Sequence, residues 1–409
     1  MDFKPIVLIV VTVIYIYNMA LDAVRMRSAK NPVPMNVADI YDEETYHKWR
    51  AYHAEKTRFS VITTTVSFVI TFLLLLFNVH AAFAGLFNKS DFMQLFAIIV
   101  LETLVEVAML PFEWIEAMKI EEKYGFNRMT PKTFFIDQIK KFIISLALMT
   151  GIGALLMVVH QALGDWLILA FAGVMTLFIL AIAFLFPFLS KIFNKFTPLE
   201  DGELKDKLTG LLEKNGYKVR AINVMDASRR STKANAYFSG FGKMKTIVLY
   251  DTLVEAMTPD EICAVFAHEL GHGLHKDTLR NQVLTAVQMI VLAVLAWLTL
   301  RTAGVFTSFG FSGINYGFAL ILIMNVEFAL IAPLFGLSTN YFSRKAEYAA
   351  DAHAVKEGYG EALITALKTL ARKDYADPAP SPLLIKLEYS HPSLSQRFDV
   401  IEKQIKKAM

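Results

Sequence analysis

The chain alternates long apolar runs with short, strongly charged loops, and the runs set its architecture. Seven stretches, 5–23, 59–87, 92–114, 142–160, 166–189, 283–305 and 317–337, are long and apolar enough to cross a hydrocarbon core about 30 Å thick. The first begins just after Lys4 and contains Ala20 and Ala23, features shared with a cleavable signal. It is read as a retained helix, because a charged loop rather than the start of a mature domain follows it. Between the fifth and sixth runs the pattern changes. Residues 204–215 repeat at helical period and stop at Asn215-Gly216, while 218–225 and 245–250 alternate or cluster β-branched residues as strands do. Residues 235–241 read as a third strand, with glycines suited to an exposed sheet edge. From Ser338 onward the pattern is helical, interrupted by a loop at Asp377-Pro378-Ala379-Pro380-Ser381-Pro382.

Composition agrees with a membrane protein: 55% of residues are hydrophobic, 19% are charged, and the mean hydropathy is +0.42. A net charge of +3 gives no reason to expect nucleic acid. The single cysteine, Cys263, excludes an intrachain disulfide and is expected to pack as a small hydrophobe. Lysine and arginine set the expected orientation. Arg25, Arg27, Lys30, Lys48, Arg50, Lys56 and Arg58 follow the first span, and Lys119, Lys123, Arg128, Lys132, Lys140 and Lys141 follow the third. The opposite side offers only Lys4, Lys89 and Arg301, so both long loops and both soluble regions are placed in the cytosol. The sequon Asn88-Lys89-Ser90 and the terminal Lys406-Lys407 add little: the first matters only in a glycosylating compartment, and the second reads as the basic end of an amphipathic helix.

Candidate chemistry centres on His268-Glu269-Leu270-Gly271-His272. Histidines four apart share one helix face, so both imidazoles can reach one Zn²⁺, and the intervening Glu269 can act as general base toward a zinc-bound water. Thr258-Pro259-Asp260-Glu261 supplies a helix start, with Thr as N-cap, Pro at the first position and Glu closing a capping box. A water-activating zinc needs a third protein ligand. Glu347 is the best candidate. Asp351, four residues on, lies on the same face and can accept a hydrogen bond from a ligand histidine. His275 and His353 compete for the third position, and Asp277 offers another carboxylate near it. Glu102, Glu106 and Glu327 fall inside spans, where a charge is costly. Either a wet chamber or interhelical hydrogen bonds would accommodate them.

Several segments together resemble the Ste24 CAAX prenyl protease branch of the M48 zinc metalloproteases, along nearly the whole chain. They are Glu121-Glu122-Lys123-Tyr124-Gly125-Phe126-Asn127-Arg128, Phe193-Asn194-Lys195-Phe196-Thr197-Pro198-Leu199-Glu200, Asn235-Ala236-Tyr237, the His268–His272 motif, Ser343-Arg344-Lys345-Ala346-Glu347-Tyr348-Ala349-Ala350-Asp351, and His391-Pro392-Ser393. The resemblance implies one zinc on His268, His272 and Glu347, with Glu269 as base. It places His391 and Asn235 near the metal, with Arg397 as a buttress. It further implies a mainly α fold: a polytopic seven-helix membrane barrel or bundle enclosing a water-filled chamber, with a small α+β zincin-like (gluzincin) domain on the cytosolic side.

The expected division is 1–190 for five transmembrane helices and their loops, and 191–282 for the metalloprotease domain. A transmembrane hairpin follows over 283–338, then a C-terminal helical part over 339–409 that completes the site. The peptide is expected to add as a strand along Ala236, Tyr237 and Phe238. Expected partners are the bilayer and a peptide or protein substrate, prenylated or otherwise membrane-associated, acted on by a monomer in a bacterial inner or endoplasmic reticulum membrane. Gly273-Leu274-His275-Lys276 departs from the family by lacking a bulky residue and a more distant histidine, which bears on substrate and not on the ligands. The competing functions are an HtpX-like quality-control protease, a seven-span transporter or receptor, and a catalytically silent scaffold.

Overall fold

The computed structural model describes the chain except residues 88–89, 218, 240–245, 276 and 409; for 167–169, 171, 175, 178–179, 182–184, 186–188, 238–239, 278 and 408 it describes the backbone only. The membrane part opens with α1 (Lys4–Ser28), α2 (Glu43–Leu76), the short α3 (Val79–Gly85), α4 (Asp91–Ile115), α5 (Pro131–Leu163) and α6 (Leu167–Phe193). Side-chain caps start three of these: Asp42 accepts from the Thr45 N–H, Ser90 from Met93 and Thr130 from Thr133. Helix α4 runs on through a π-helical turn, Glu116–Glu121.

A four-stranded sheet follows, built from β1 (Phe196–Pro198), β2 (Ala221–Met225), β3 (Ala236–Ser239) and β4 (Thr246–Tyr250) in the order β1-β2-β4-β3. Helix α7 (Glu203–Lys214) covers it between β1 and β2 in sequence, and α8 (Asp251–Val254) leads to α9 (Pro259–Leu274). Then α10 (Asp277–Arg301) returns to the membrane, α11 (Ala303–Ser308) turns the chain, and α12 (Tyr316–Ile321) continues through a π-helical stretch, Leu322–Phe328, into α13 (Ala329–Lys356). Helices α14 (Gly360–Asp374), α15 (Pro382–Leu387) and α16 (Leu394–Ala408) complete the chain.

The seven apolar runs all fall on helices. Six helices among the described residues are long and apolar enough to cross a membrane, and the fifth run lies on α6. The architecture is the expected one, mainly helical with a small sheet. Strand β1 was not anticipated. Three residues are too few to show a period, and only antiparallel pairing with β2 makes them a strand. The expected edge is β3, which pairs with β4 on one side and closes the sheet order on the other. The sequon at Asn88 lies outside the described residues.

Two intramembrane acids are met by partners on other helices. Glu102 Oε1 lies 2.8 Å from His80 Nε2, and Thr299 Oγ1 donates to Glu327 Oε1 at 2.6 Å. Glu106, one turn beyond Glu102 on α4, is exposed and makes no ion pair among the described residues. So interhelical hydrogen bonds account for the first two acids and not the third.

Close crossings use small residues. A Cβ on Gly317 would stand 2.7 Å from Ile98 Cβ and 2.9 Å from the Leu95 carbonyl oxygen, neither of which can swing away. Gly317→Ala is therefore expected to cost about 1–3 kcal/mol and to lower the unfolding midpoint in detergent. Gly313→Ala, where the new methyl meets nothing within 4 Å, is expected to leave the midpoint unchanged.

Candidate metal centre

Helix α9 begins as the sequence foretold: the Thr258 side chain accepts from the Glu261 N–H, and the Glu261 carboxylate accepts from the Thr258 N–H, closing the capping box. Ile262, Phe266 and Leu270 are buried on the opposing side, which fixes the rotation of the helix and turns His268 and His272 toward α13. Gly271 makes the approach possible. A Cβ there would stand 2.9 Å from the Ala350 backbone Cα. The bare glycine lets α13 lie against α9, which carries Glu347 to the histidines.

The donor atoms then cluster. His268 Nε2 and His272 Nε2 are 3.2 Å apart. Glu347 Oε1 lies 3.3 Å from His272 Nε2, and Glu347 Oε2 lies 3.4 Å from His268 Nε2. Ligands bonded at 2.0–2.1 Å in tetrahedral geometry sit about 3.3 Å from one another, so these separations fit one divalent ion among the three side chains. Glu347 is 3% exposed, yet its Oε2 accepts no hydrogen bond, the state expected of an atom whose partner is a metal.

Each histidine is held by a carboxylate at its other nitrogen, which orients the ring and leaves Nε2 for a ligand. His268 Nδ1 lies 2.8 Å from Asp351 Oδ1, and His272 Nδ1 lies 3.0 Å from Asp277 Oδ2. Arg397, buried on α16, donates to both oxygens of Asp351 and stands 3.3 Å from Glu347 Oε2. Burial alone would lower the His272 imidazole; the Glu347 and Asp277 carboxylates outweigh it and push it up to about 9. Burial also pushes the Glu269 carboxyl up, against the pull of His268 and His272, toward the range where a carboxylate works as a base near neutral pH.

Asn235, Ala236, His268, Glu269, Glu347 and His391 line a common cavity of about 140 Å³. His391, its side chain 60% exposed, places Nε2 3.3 Å from Glu347 Oε1. The Asn235 side-chain oxygen accepts from the Ala236 N–H at the start of β3. Tyr237 and Phe238 continue β3 in register with Val248 and Ile247. His275 caps α9, its Nδ1 2.8 Å from the Gly271 carbonyl oxygen, and His353 is buried with an unpartnered Nε2; neither joins the donor cluster.

Two features escaped sequence reasoning. Asp277 was weighed as a rival ligand and instead holds His272; its place at the start of α10, five residues after His272, was the available signal. The apolar wall of the cavity comes from Leu363, Leu367 and Leu370 of α14, a helix whose own amphipathic pattern shows a buried face but not what that face meets.

Comparisons with known proteins agree in extent with this arrangement. Residues 23–195 match a family described as CAAX prenyl protease N-terminal, five membrane helices, and residues 198–405 match peptidase family M48. The chain is 32% identical to the CAAX prenyl protease 1 homolog of Arabidopsis thaliana, over 97% of this chain and 96% of that one. It is 31% identical to CAAX prenyl protease 1 of Saccharomyces cerevisiae, over 91% and 89%. The crystal structure of S. mikatae Ste24p superposes with a TM-score of 0.91 at 27% identity, covering 98% of this chain and 99% of that one. The match of the five-helix N-terminal module, beside the peptidase module, disfavours both the transporter reading and the HtpX-like one.

Replacing Asp351 or Asp277 by asparagine is expected to weaken metal binding about 10–100-fold, read by competition with a chromophoric chelator. Protons and the ion compete for the same imidazoles, so affinity should also fall as pH drops below about 9.

Proposed function

This chain belongs to peptidase family M48, on its CAAX prenyl protease branch, and from that premise we propose how its residues carry out a membrane metalloprotease reaction. The metal is proposed to be one zinc ion held by His268, His272 and Glu347. When bound, zinc polarises the scissile carbonyl and lowers the pKa of water. The observation that carries this reading is the set of donor separations near 3.3 Å between His268, His272 and a buried Glu347 carboxylate whose Oε2 makes no hydrogen bond among the described residues.

Glu269, lining the same cavity and without an ion pair among the described residues, takes the proton of the attacking water and returns it to the leaving amine. His391 and the Asn235 amide, which line the same cavity, are the donors that stabilise the carbonyl oxygen as it gains charge. Asp351, Asp277 and Arg397 act only through the ligands, holding the imidazoles in one tautomer and neutralising the buried carboxylates. The substrate adds as a strand to the free side of β3, along Ala236, Tyr237 and Phe238, so that backbone bonds fix its register whatever its sequence.

The substrate class that suits this placement is a membrane-associated peptide, including a prenylated C-terminal C-a-a-X sequence of the kind named for the relatives. Helices α10 and α12–α13 run from candidate spans directly to the ligand-bearing segments, so the cleft stands at a membrane boundary. By the lysine and arginine count that boundary is the cytosolic one, and the enzyme acts as a monomer. A water-filled chamber between the spans would hydrate Glu106.

Glu269→Ala is expected to keep its metal and lose about 10²–10⁴-fold in peptide cleavage, measured by product mapping beside metal content per chain. Wild-type turnover in that variant would remove Glu269 from the mechanism. Chelation should abolish cleavage, and zinc should restore it. Matched prenylated and unlipidated peptides, with fragments identified by mass, establish which substrate class is cut and where.

A further inference from the structure

A second cavity, of about 800 Å³, is lined by residues close in sequence to those of the metal cleft, and none of the roles assigned above uses it. Its volume is within the range of binding pockets for small ligands. It lies among α1, α2 and the segment between α14 and α16, and its wall includes Lys30, Arg50, Arg58, Lys233, Asp374 and Tyr389. The two cavities adjoin along the chain at two places. Lys233 stands two residues before Asn235, and Tyr389 two residues before His391, and both Asn235 and His391 line the metal cleft.

Strand direction decides what would enter it. Antiparallel pairing is the polarity β3 already uses with β4 and the slightly more stable ladder per residue. A peptide added antiparallel to β3 runs from the Ser239 end toward the Ala236 end. Its residues beyond the scissile bond therefore pass Asn235 and head for Lys233. Three extended residues span about 10 Å. Two Cα steps separate Asn235 from Lys233, at most about 7.6 Å, and the lysine side chain adds its own reach.

The charges in the cavity favour an anion. Arg25 is tied to Asp22 and Glu388, and Lys56 to Glu121 and Glu116. Among the described residues, no carboxylate oxygen lies within 4.0 Å of Lys233 Nζ, which instead stands 5.2 Å from the centre of the Phe126 ring. Lys30, Arg50 and Arg58 make no ion pair there either. Against these four cations stand Asp374 and Asp377. Asp377 already accepts from Ser28 Oγ and the Ala379 N–H, and burial pushes the Asp374 carboxyl up to about 6. A half-buried ammonium that feels Asp374 and Glu121 only from beyond 4.0 Å, at the end of the path the released segment would follow, has room for a closer negative group.

We propose that this cavity receives the segment C-terminal to the scissile bond, and that the Lys233 ammonium binds the free carboxylate at its end. Lys233 then measures the distance from the chain terminus to the metal, which strand addition by itself cannot do, because main-chain bonds are the same in every register. The inference rests on the peptidase reading and on strand addition at β3.

The test uses the full-length protein in detergent and one fluorescent peptide ending in C-a-a-X, made with a free C-terminal carboxylate and as the amide. Wild type is expected to cut the acid with kcat/KM about tenfold above the amide, in line with one charge-assisted hydrogen bond. Lys233→Gln should bring that ratio near one, chiefly by slowing the acid, while Lys233→Arg keeps most of it. Equal cleavage of acid and amide by wild type, or an undiminished ratio in Lys233→Gln, overturns the proposal. Binding of the same two peptides to Glu269→Gln protein gives a readout independent of turnover: tighter binding of the acid that is lost on adding Lys233→Gln supports the carboxylate site, and equal binding of acid and amide overturns it. Failure of wild type to cut either peptide counts against the peptidase assignment for this substrate and leaves the binding comparison to decide the role of Lys233.

Discussion

The contact on which the site depends is the one between Gly271 and Ala350, where α9 and α13 meet with no side chain between their backbones. Two histidines on one helix can hold a metal only weakly and on one side. Glu347 converts them into a three-donor site, and it can do so only if the helix axes approach to the limit that a glycine permits. The same approach buries Asp351 against His268 and Arg397 against Asp351. Taking those groups from water is expensive unless each has its partner. Here the acids and cations meet in one connected set, His268–Asp351–Arg397–Glu347, so the desolvation is shared among charges that compensate one another. A metal ion would complete that balance at Glu347, whose Oε2 makes no hydrogen bond among the described residues.

The membrane supplies the second constraint. From Tyr316 to Lys356 the chain is a single helical rod of 41 residues, about 60 Å at 1.5 Å per residue, twice the thickness of a bilayer core. One end lies among the apolar helices and the other carries Glu347. Only two residues separate the end of α9 from the start of α10, which continues as a candidate span. Both halves of the candidate metal site are thus continuous with candidate spans, which hold the cleft to them as a flexible linker would not. The π-helical stretch Leu322–Phe328 in that rod contains Glu327, whose bond to Thr299 ties the rod to α10 at a second level.

Much of this was legible because the signals are local. Apolar runs longer than a bilayer is thick, a Thr-Pro-Asp-Glu helix start and an i, i+4 histidine pair are all properties of contiguous residues, and each appears on the element expected. The partnership of Asp351 with a ligand histidine was also within reach, since four-residue spacing puts it beside Glu347. What was missed depends on tertiary placement. Strand β1 exists only because β2 is next to it. Asp277 is two elements' boundary away from having any reason to hold His272, until the short turn between α9 and α10 brings it back. The acids inside spans were ambiguous for a related reason: Glu102 and Glu327 have partners on other helices, which no pattern along their own helices can reveal, while Glu106 on the same face as Glu102 makes no ion pair among the described residues.

Strand addition has a consequence for specificity that the metal site cannot resolve. Bonds between backbones are repeated every two residues, so a peptide lying on β3 would gain nearly the same energy if it slipped by two. Side-chain pockets normally pin the register, but the cleft offers chiefly aliphatic surface from Leu363, Leu367 and Leu370, which discriminates poorly among apolar residues. A fixed point outside the ladder removes the degeneracy. A charge at the chain end is the strongest such point, because a terminal carboxylate occurs once per molecule and cannot be imitated by a slipped register. On the proposal made for Lys233, the ammonium just before the Asn235 end of β3 would be that point, and cleavage at a set distance from a terminus would then be a matter of electrostatics more than of sequence.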